Sequence, residues 1–144
     1  MDDAKLQELS DVREIIDVMN QYTTALDSRN WAMLEDTMTP DGQADFGNLA
    51  GVGILDSPKA LVDLCRKSLQ DLRATQHLQG NYEVKVSGDT AQASCYLQAN
   101  HFAEGLPGGT SSSCGPSTAT TSSAPKTAGV SRNAISKPFM PEGT

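Results

Sequence analysis

The stretch ATQHLQGNYEVKVSGDTAQASCYLQANHF, residues 74–102, decides the fold of this chain. Apolar and polar side chains alternate along it, and a period of two is typical of β-strands with one buried face. The pattern predicts a strand over residues 74–80 and a hairpin of residues 82–86 and 90–102 around Ser87-Gly88-Asp89. One face of the second hairpin strand carries Ala91, Ala93, Cys95, Leu97, Ala99 and His101. We therefore expect an antiparallel sheet whose apolar face ends in a histidine.

A helical period precedes these strands. Within residues 11–26 the apolar side chains recur three and four positions apart, which predicts an amphipathic helix. Its buried stripe would contain Val12, Ile15, Ile16, Met19, Tyr22, Thr23 and Leu26. Asp11, followed three residues later by Glu14, predicts a capping box at the start of this helix.

Two further helices are predicted before the sheet begins. A short one over residues 31–38 is ended by the turn Thr39-Pro40-Asp41-Gly42. Another begins at Ser57-Pro58, with Ser as N-cap and Pro in the first helical position. Residues 43–46 are a candidate short strand, while residues 49–55 are Gly-rich and ambiguous. Three helices followed by antiparallel strands predict an α+β domain over residues 1–105.

The last part of the chain has a different composition. Residues 106–144 form a tail rich in Ser, Thr, Pro and Gly, with few side chains that could form a core. One interpretation is a disordered segment. The other is a shifted reading frame from about Thr110, because a shifted translation can give alternating strands that turn at Asp-Gly and continue into Trp-Arg-Ile. In either case we expect a sheet that is incomplete at its C-terminal end, and the coding DNA would distinguish the two.

Charge and composition narrow the possible partners. The chain has 144 residues, enough for one domain, and a net charge of −7. Residues 1–105 contain 17 of the 18 acidic side chains, so the predicted domain has no basic stripe for nucleic acid or anionic membranes. The acidic N-terminus is not a signal peptide, and no apolar run is long enough to span a bilayer. We expect a cytoplasmic protein.

Cysteine and histidine numbers argue against disulfides and metals. The three cysteines, Cys65, Cys95 and Cys114, form no CxxC motif, which favours reduced thiols buried in a cytosolic protein. Only two histidines occur, and no cluster of metal ligands surrounds them. No metal or cofactor is therefore expected.

Three side chains are candidates for proton transfer. Asp27 lies on the flank of the first apolar stripe, near a helix C-terminus, where a negative charge opposes the helix dipole. His77 lies in the first predicted strand, and His101 ends the apolar face of the last one. Each alone is more often structural. As a pair, a buried Asp27 would fix the tautomer of the His77 imidazole and make its other nitrogen a base, with the Tyr22 hydroxyl near enough to bind a substrate oxygen.

Several segments together resemble the SnoaL-like family, which has the nuclear transport factor two-like fold. The first runs from Ile15-Ile16 through Tyr22-Thr23-Thr24-Ala25-Leu26-Asp27-Ser28-Arg29-Asn30-Trp31. The others are Thr39-Pro40-Asp41-Gly42, residues 74–81, Ser87-Gly88-Asp89-Thr90-Ala91 and Ala99-Asn100-His101-Phe102. The resemblance covers about residues 8–104. It implies three helices packed on a curved antiparallel sheet, a cystatin-like cone.

The resemblance also implies a function. The Asp27/His77 pair is similar to that of scytalone dehydratase, hexachlorocyclohexane dehydrochlorinase and bile-acid 7α-dehydratase, enzymes that catalyse cofactor-independent eliminations. Tyr22 and His101 resemble active-site residues of such enzymes, and Trp31 is a further candidate substrate contact. The catalytic Arg of some members would come from the C-terminal strands, and nothing in the tail matches it.

We therefore expect a lyase or isomerase acting on a small apolar, oxygenated molecule, with His77 and Asp27 catalytic and Tyr22, His101 and Trp31 in contact with substrate. The resemblance also implies a dimer or trimer if the sheet is complete. Two alternatives stay open: a non-catalytic ligand-binding or dimerisation module of the same fold, and an inactive truncated or frameshifted product. Many members of such superfolds keep the fold while the site changes.

Overall fold

The α+β architecture is confirmed. The computed structural model describes residues 2–47, 51–104, 111–114, 118–119 and 135–136. In chain order the elements are α1 (Asp3–Ser28), α2 (Trp31–Glu35), β1 (Ala44–Asp45), β2 (Ile54–Leu55), α3 (Pro58–Leu69), β3 (Ala74–Ser87), β4 (Thr90–Phe102), β5 (Ser111–Cys114), β6 (Thr118–Ala119) and β7 (Ile135–Ser136). Helices come first and antiparallel strands follow.

Helix α1 is longer than the periodicity predicted, and its N-cap lies further upstream. The N-cap is Asp2, whose carboxylate accepts the backbone N–H of Lys5 at 2.8 Å. Asp11 is buried inside the helix and accepts a hydrogen bond from the Gln7 side chain at 2.8 Å. The predicted cap at Asp11 is therefore wrong, because good helix formers continue the helix upstream and a partner one turn earlier satisfies the carboxylate.

The two shorter helices begin with side-chain caps. Asn30 accepts the backbone N–H of Met33 at 3.1 Å at the start of α2, which is shorter than predicted. Ser57 accepts the backbone N–H of Ala60 at 3.2 Å at the start of α3, as its Ser-Pro sequence predicted. Within the described residues, no helix has the length and apolar character needed to cross a membrane.

The first described sheet is a small pair of strands. β1 and β2 are antiparallel, with Ala44 opposite Leu55 and Asp45 opposite Ile54. This confirms a strand within residues 43–46 and places a second one at the end of the Gly-rich segment 49–55, of which residues 49–50 lie outside the described residues. Ala44 and Leu55 join the apolar cluster of the helices.

The main sheet is built on the β3–β4 hairpin. The predicted strands 74–80 and 82–86 are one strand with a β-bulge between Gly80 and Glu83, where Asn81 has a φ of 51°. The extra residue in the bulge changes which side chains point towards α1, from odd-numbered positions before it to even-numbered positions after it. Thr75 and Val84 therefore lie on the same, helix-covered face of the sheet. The two-residue loop has a positive φ at Gly88 alone, the pattern of a type II′ turn.

Part of the Ser/Thr-rich tail is in strands. β5 pairs antiparallel with β4, from Ala99 opposite Cys114 to Phe102 opposite Ser111, which gives the sheet the order β3-β4-β5. β6 pairs with β7. The tail is therefore not wholly without regular structure, since eight of its residues are in strands. Without β5, the edge of β4 would have unpaired backbone N–H and C=O groups, and β5 pairs with them. The division at residue 105 stays a prediction, and most of the frameshift hypothesis concerns residues outside those described.

Two apolar clusters hold the domain together and determine where α1 ends. The larger joins the three helices through residues that include Leu26, Leu34 and Leu61. The smaller packs Met19 of α1 against Ala93 and Cys95 of β4. Because α1 packs against the sheet, its last turn lies beside the first residues of β3. The end of β4 is paired with those same residues, so it lies close to the end of α1 as well.

Candidate active site

The C-terminal turn of α1 presents Asp27 to strand β3. Its carboxylate, 28% exposed, accepts three hydrogen bonds from that strand. They come from the Thr75 hydroxyl to Oδ1 at 2.9 Å, the His77 backbone N–H to Oδ2 at 2.9 Å, and His77 Nδ1 to Oδ1 at 2.6 Å. An anion at a helix C-terminus is disfavoured by about 0.3–1 kcal/mol, so these donors offset an unfavourable position.

His77 is held by the same carboxylate through its backbone and its ring. The side chain is only 6% exposed. A carboxylate can only accept hydrogen bonds, so Nδ1 must carry the proton, and the neutral ring keeps its lone pair on Nε2. The arrangement fixes one tautomer and leaves one nitrogen with the properties of a general base.

Thr75 and Arg29 complete this arrangement, and the sequence analysis assigned neither. An Arg29 Nη1 donates to the Thr75 hydroxyl at 2.8 Å and to the backbone carbonyl of Leu26 at 2.6 Å. The Thr75 hydroxyl in turn donates its hydrogen bond to Asp27. The available signal for Thr75 was its position two residues before His77, on the same face of the strand. For Arg29 no local signal exists, because the contact depends on how α1 meets β3.

His101 lies next to the pair, at the end of the apolar strand face where the pattern placed it. It is opposite Thr75 in the β3–β4 register, and its ring centroid is 5.6 Å from that of His77 with a tilt of 56° between the planes. Its Nε2 is buried and has no hydrogen-bond partner among the described residues. Burial lowers the pKa of His101, the nearby His77 and Arg29 lower it further, and Asp27 opposes the change.

The lowered pKa of His101 makes the stability of the fold depend on pH. The unfolded side chain has a pKa near 6.5 and the folded one a lower value, so below pH 6.5 the unfolded state binds more protons. The stabilisation is complete above about pH 6.5 and is lost as the pH falls through the folded pKa. We expect His101→Gln to flatten the acidic side of a plot of Tm against pH between about pH 7 and pH 5. An unchanged slope would contradict this.

The other two predicted contacts lie towards α3. The Tyr22 hydroxyl is beside the Cys65 thiol, and burial followed by this neighbour raises the pKa of Tyr22. Trp31 packs on the helical cluster, with the Arg66 guanidinium 5.7 Å from its ring. Their roles as substrate contacts stay predictions, whereas Asp27 contacts His77 directly and the His101 ring lies beside that of His77.

Cys65 should be chemically inert in the folded protein. Burial raises its thiol pKa to about 11, against a smaller opposing effect of the Tyr22 hydroxyl. Only about one thiol in a thousand is then ionised at pH 8, and the thiolate is the reactive form. We expect iodoacetamide to leave Cys65 unmodified in the native state and to modify it in denaturant, as measured by peptide mass spectrometry. Rapid native modification of Cys65 would contradict the burial of its thiol.

The described cysteines and carboxylates do not form a metal site. Cys65 and Cys95 are both buried. Across the described ranges, no group of three or more His, Cys, Asp or Glu side chains is arranged to hold an ion. The chemistry available at this site is that of a carboxylate, two imidazoles and a guanidinium.

The protein is an α+β domain with helices packed on an antiparallel sheet, and it has an aspartate–histidine pair where α1 meets β3. The chain belongs to the SnoaL-like domain family, which matches residues 7–129. The match extends beyond residue 105, the predicted end of the domain.

A curated relative and several solved structures are similar to the chain. An uncharacterized Mycobacterium tuberculosis protein, Rv2910c, is 32% identical over 87 residues, which are 60% of this chain. The chain spans only 57% of that relative's length. An NTF2-like protein with a cystatin-like fold from Novosphingobium aromaticivorans has a TM-score of 0.71 at 24% identity, covering 89% of this chain and 80% of the other.

Two further structures of the same fold have enzyme names. A hexachlorocyclohexane dehydrochlorinase, LinA type 2, has a TM-score of 0.71 at 18% identity, covering 88% of this chain and 83% of its own. A Novosphingobium aromaticivorans protein named after scytalone dehydratase has a TM-score of 0.68 at 16% identity, covering 85% and 76%. At these identities the likeness establishes the fold, the cystatin-like cone expected from the sequence.

Proposed function

We propose that this protein is a cofactor-independent lyase or isomerase that catalyses a dehydratase-like elimination or an isomerisation of a small apolar, oxygenated molecule. The observation that carries the proposal is the 2.6 Å contact between His77 Nδ1 and Asp27 Oδ1. It gives the ring one tautomer, an anionic partner for the imidazolium and a free Nε2. Those are the structural requirements for a general base.

The proposed reaction is a proton-transfer elimination. Nε2 of His77 takes a proton from a substrate carbon, and the electron pair of that C–H bond forms a double bond to the neighbouring carbon. The C–O bond on that neighbour breaks, and the departing oxygen takes the proton back from the His77 imidazolium and leaves as water, which returns His77 to its neutral form. Asp27 stabilises the imidazolium while His77 holds the proton. In the isomerisation version, His77 returns the proton to another carbon.

His101 is the proposed contact for the substrate oxygen. Its Nε2 is buried without a partner among the described residues, and its lowered pKa favours the neutral ring at neutral pH. A neutral imidazole can donate or accept one hydrogen bond without adding a charge to the site. Tyr22, through its hydroxyl, and Trp31 are further proposed contacts with the substrate. The enzyme names of two structures with the same fold support the reaction type.

Hydrogen–deuterium exchange tests this proposal even where no net elimination takes place. The full chain would be incubated in D2O with steroid, terpenoid and polyketide alcohols and ketones, and mass spectrometry would detect deuterium at carbon or loss of water. We expect one class to exchange or eliminate in the wild type and not in His77→Gln. Gln76, on the opposite face of β3, provides the control Gln76→Ala, which should match the wild type. Equal exchange in His77→Gln would exclude His77 as the base.

A second candidate function is a non-catalytic ligand-binding or dimerisation module. The observation in its favour is on the outer face of the sheet, where Leu78 and Tyr96 are 51% and 59% exposed. This candidate predicts tight binding of an apolar molecule with no deuterium uptake. It also predicts that Leu78→Asp converts a dimer or trimer into a monomer in analytical ultracentrifugation.

A further inference from the structure

A continuous line of hydrogen bonds runs from the end of α1 to the imidazole of His77. Arg29 Nη1 donates to the Thr75 hydroxyl at 2.8 Å, that hydroxyl donates to Asp27 Oδ1 at 2.9 Å, and the same oxygen meets His77 Nδ1 at 2.6 Å. A threonine hydroxyl has one proton and can rotate it to any acceptor within reach. Because Arg29 can only donate, it occupies a lone pair of Thr75 and leaves the threonine proton for Asp27.

The backbone of Arg29 indicates that its side chain is there for more than helix termination. Arg29 ends α1 with φ 57° and ψ 27°, the left-handed conformation. Glycine or asparagine usually takes this position, since a side chain with a Cβ costs about 1–2 kcal/mol there. The backbone N–H of Arg29 already closes the helix on Ala25 and Leu26. Glycine would do the same without the conformational cost.

The charge of Arg29 also reaches His101. The four ionisable groups facing one another here are Asp27 and Arg29 from α1, His77 from β3 and His101 from β4. The guanidinium acts on His101 through its positive charge and disfavours protonation of that ring. Arg29 thus sits where one cation can favour the neutral imidazole of His101 while its hydrogen bond directs Thr75 to the aspartate.

We propose that Arg29 and Thr75 are positioning residues that hold Asp27 in the orientation that fixes His77 as the Nδ1–H tautomer. As a statement about catalysis, the inference rests on the proposed function, because Asp27 and His77 are the proposed proton-transfer pair. Neither residue touches the substrate in this scheme. Each acts through the carboxylate, so the effect on catalysis would be on kcat more than on KM.

The tautomer can be measured without a substrate. Long-range ¹H–¹⁵N spectra at about pH 8 distinguish protonated from unprotonated ring nitrogens, and with two histidines in the chain a single variant, His101→Phe, assigns both rings. We expect Nδ1–H alone for wild-type His77 and a mixture of tautomers in Arg29→Gly and Thr75→Val. Thr75→Ser keeps the hydroxyl and should resemble the wild type. Arg13→Ala removes an exposed arginine from the same helix and should also leave the spectrum unchanged.

A double variant tests whether Arg29 acts through Thr75. We expect Arg29→Gly to add no further change in the tautomer ratio once Thr75→Val is present. With a substrate in hand, kcat of either single variant should fall roughly 10-fold to 100-fold, since small displacements of a catalytic group cost up to ~10²-fold. A wild-type tautomer in both variants, with only a lower Tm, would overturn the inference and leave these residues a structural link between α1 and β3.

The two proposals can fail separately. If Arg29 and Thr75 control the His77 tautomer but no compound exchanges a proton, the positioning inference stands and the proposed function fails. If turnover depends on His77 but the His77 tautomer is unchanged in the Arg29 and Thr75 variants, the proposed function stands and the positioning inference fails. Glycine at position 29 suits the left-handed backbone, so Arg29→Gly should fold, and a circular dichroism melt verifies this.

Discussion

His77→Gln is expected to reduce turnover by about 10²–10⁴-fold, the usual contribution of a general base. The amide of glutamine has no basic nitrogen, so nothing can take the substrate proton. The fold should persist, because the backbone N–H at position 77 still donates to Asp27 Oδ2, a contact that is 2.9 Å long in the wild type. Steady-state kinetics on the substrate found by deuterium exchange, at equal folded fractions, measures the loss.

The matched control for this change is the same substitution at the neighbouring histidine. His101 is 5.6 Å from His77 between ring centroids, on the same sheet face. If His101 binds the substrate oxygen, His101→Gln should change KM and kcat by a smaller factor than His77→Gln, because the base is kept. A larger loss at His101 than at His77 would reverse the assigned roles.

The meeting of Asp27 and His77 was accessible from sequence because two periodicities determine it. The helical period placed Asp27 on the flank of the α1 stripe, and the strand period placed His77 on one face of the first predicted strand, which the structure shows is the face towards α1. Once α1 packs across the sheet, those two facings converge. The same reasoning put His101 on the apolar face of β4, where the structure has it.

The parts that sequence reasoning missed depend on tertiary contacts or on ambiguous local patterns. Arg29 takes a left-handed conformation that its residue type does not signal, and the Thr75 hydroxyl has a partner only once α1 and β3 meet. The Asp11 pattern has the same spacing as a capping box but lies inside a helix that Asp2 caps. Gly80-Asn81 suggested a break between two strands, but it is part of a β-bulge within one strand. A turn and a bulge favour the same residue types, so the local sequence does not distinguish them.

Asp27→Asn is the second change with a large expected effect. The aspartate accepts hydrogen bonds from the Thr75 hydroxyl, the His77 ring and the His77 backbone N–H. All three partner groups are donors, and a carboxylate can only accept. Asparagine has the same shape but one oxygen and one amide. We expect turnover to fall by up to about 10⁴-fold, the loss that the same exchange causes in a serine-protease triad by giving the wrong histidine tautomer.

Both orientations of the asparagine amide are unfavourable, and this makes the prediction specific. With its NH2 towards the His77 ring, Nδ1 must accept, the ring proton moves to Nε2, and the base is lost. With its NH2 towards the His77 backbone, two donors face each other and a buried N–H loses its partner, at about 1–3 kcal/mol. In the first orientation the Thr75 hydroxyl, which also donates to this oxygen in the wild type, can rotate away, whereas the backbone N–H in the second cannot. We therefore expect the variant to fold with an Nε2–H ring, visible in the ¹H–¹⁵N spectrum. Asp17→Asn, on the exposed side of α1, is the matched control and should keep wild-type turnover. A fully active Asp27→Asn variant with an Nε2–H ring would show that the tautomer is irrelevant to the reaction, and the pair could not then be its proton-transfer machinery.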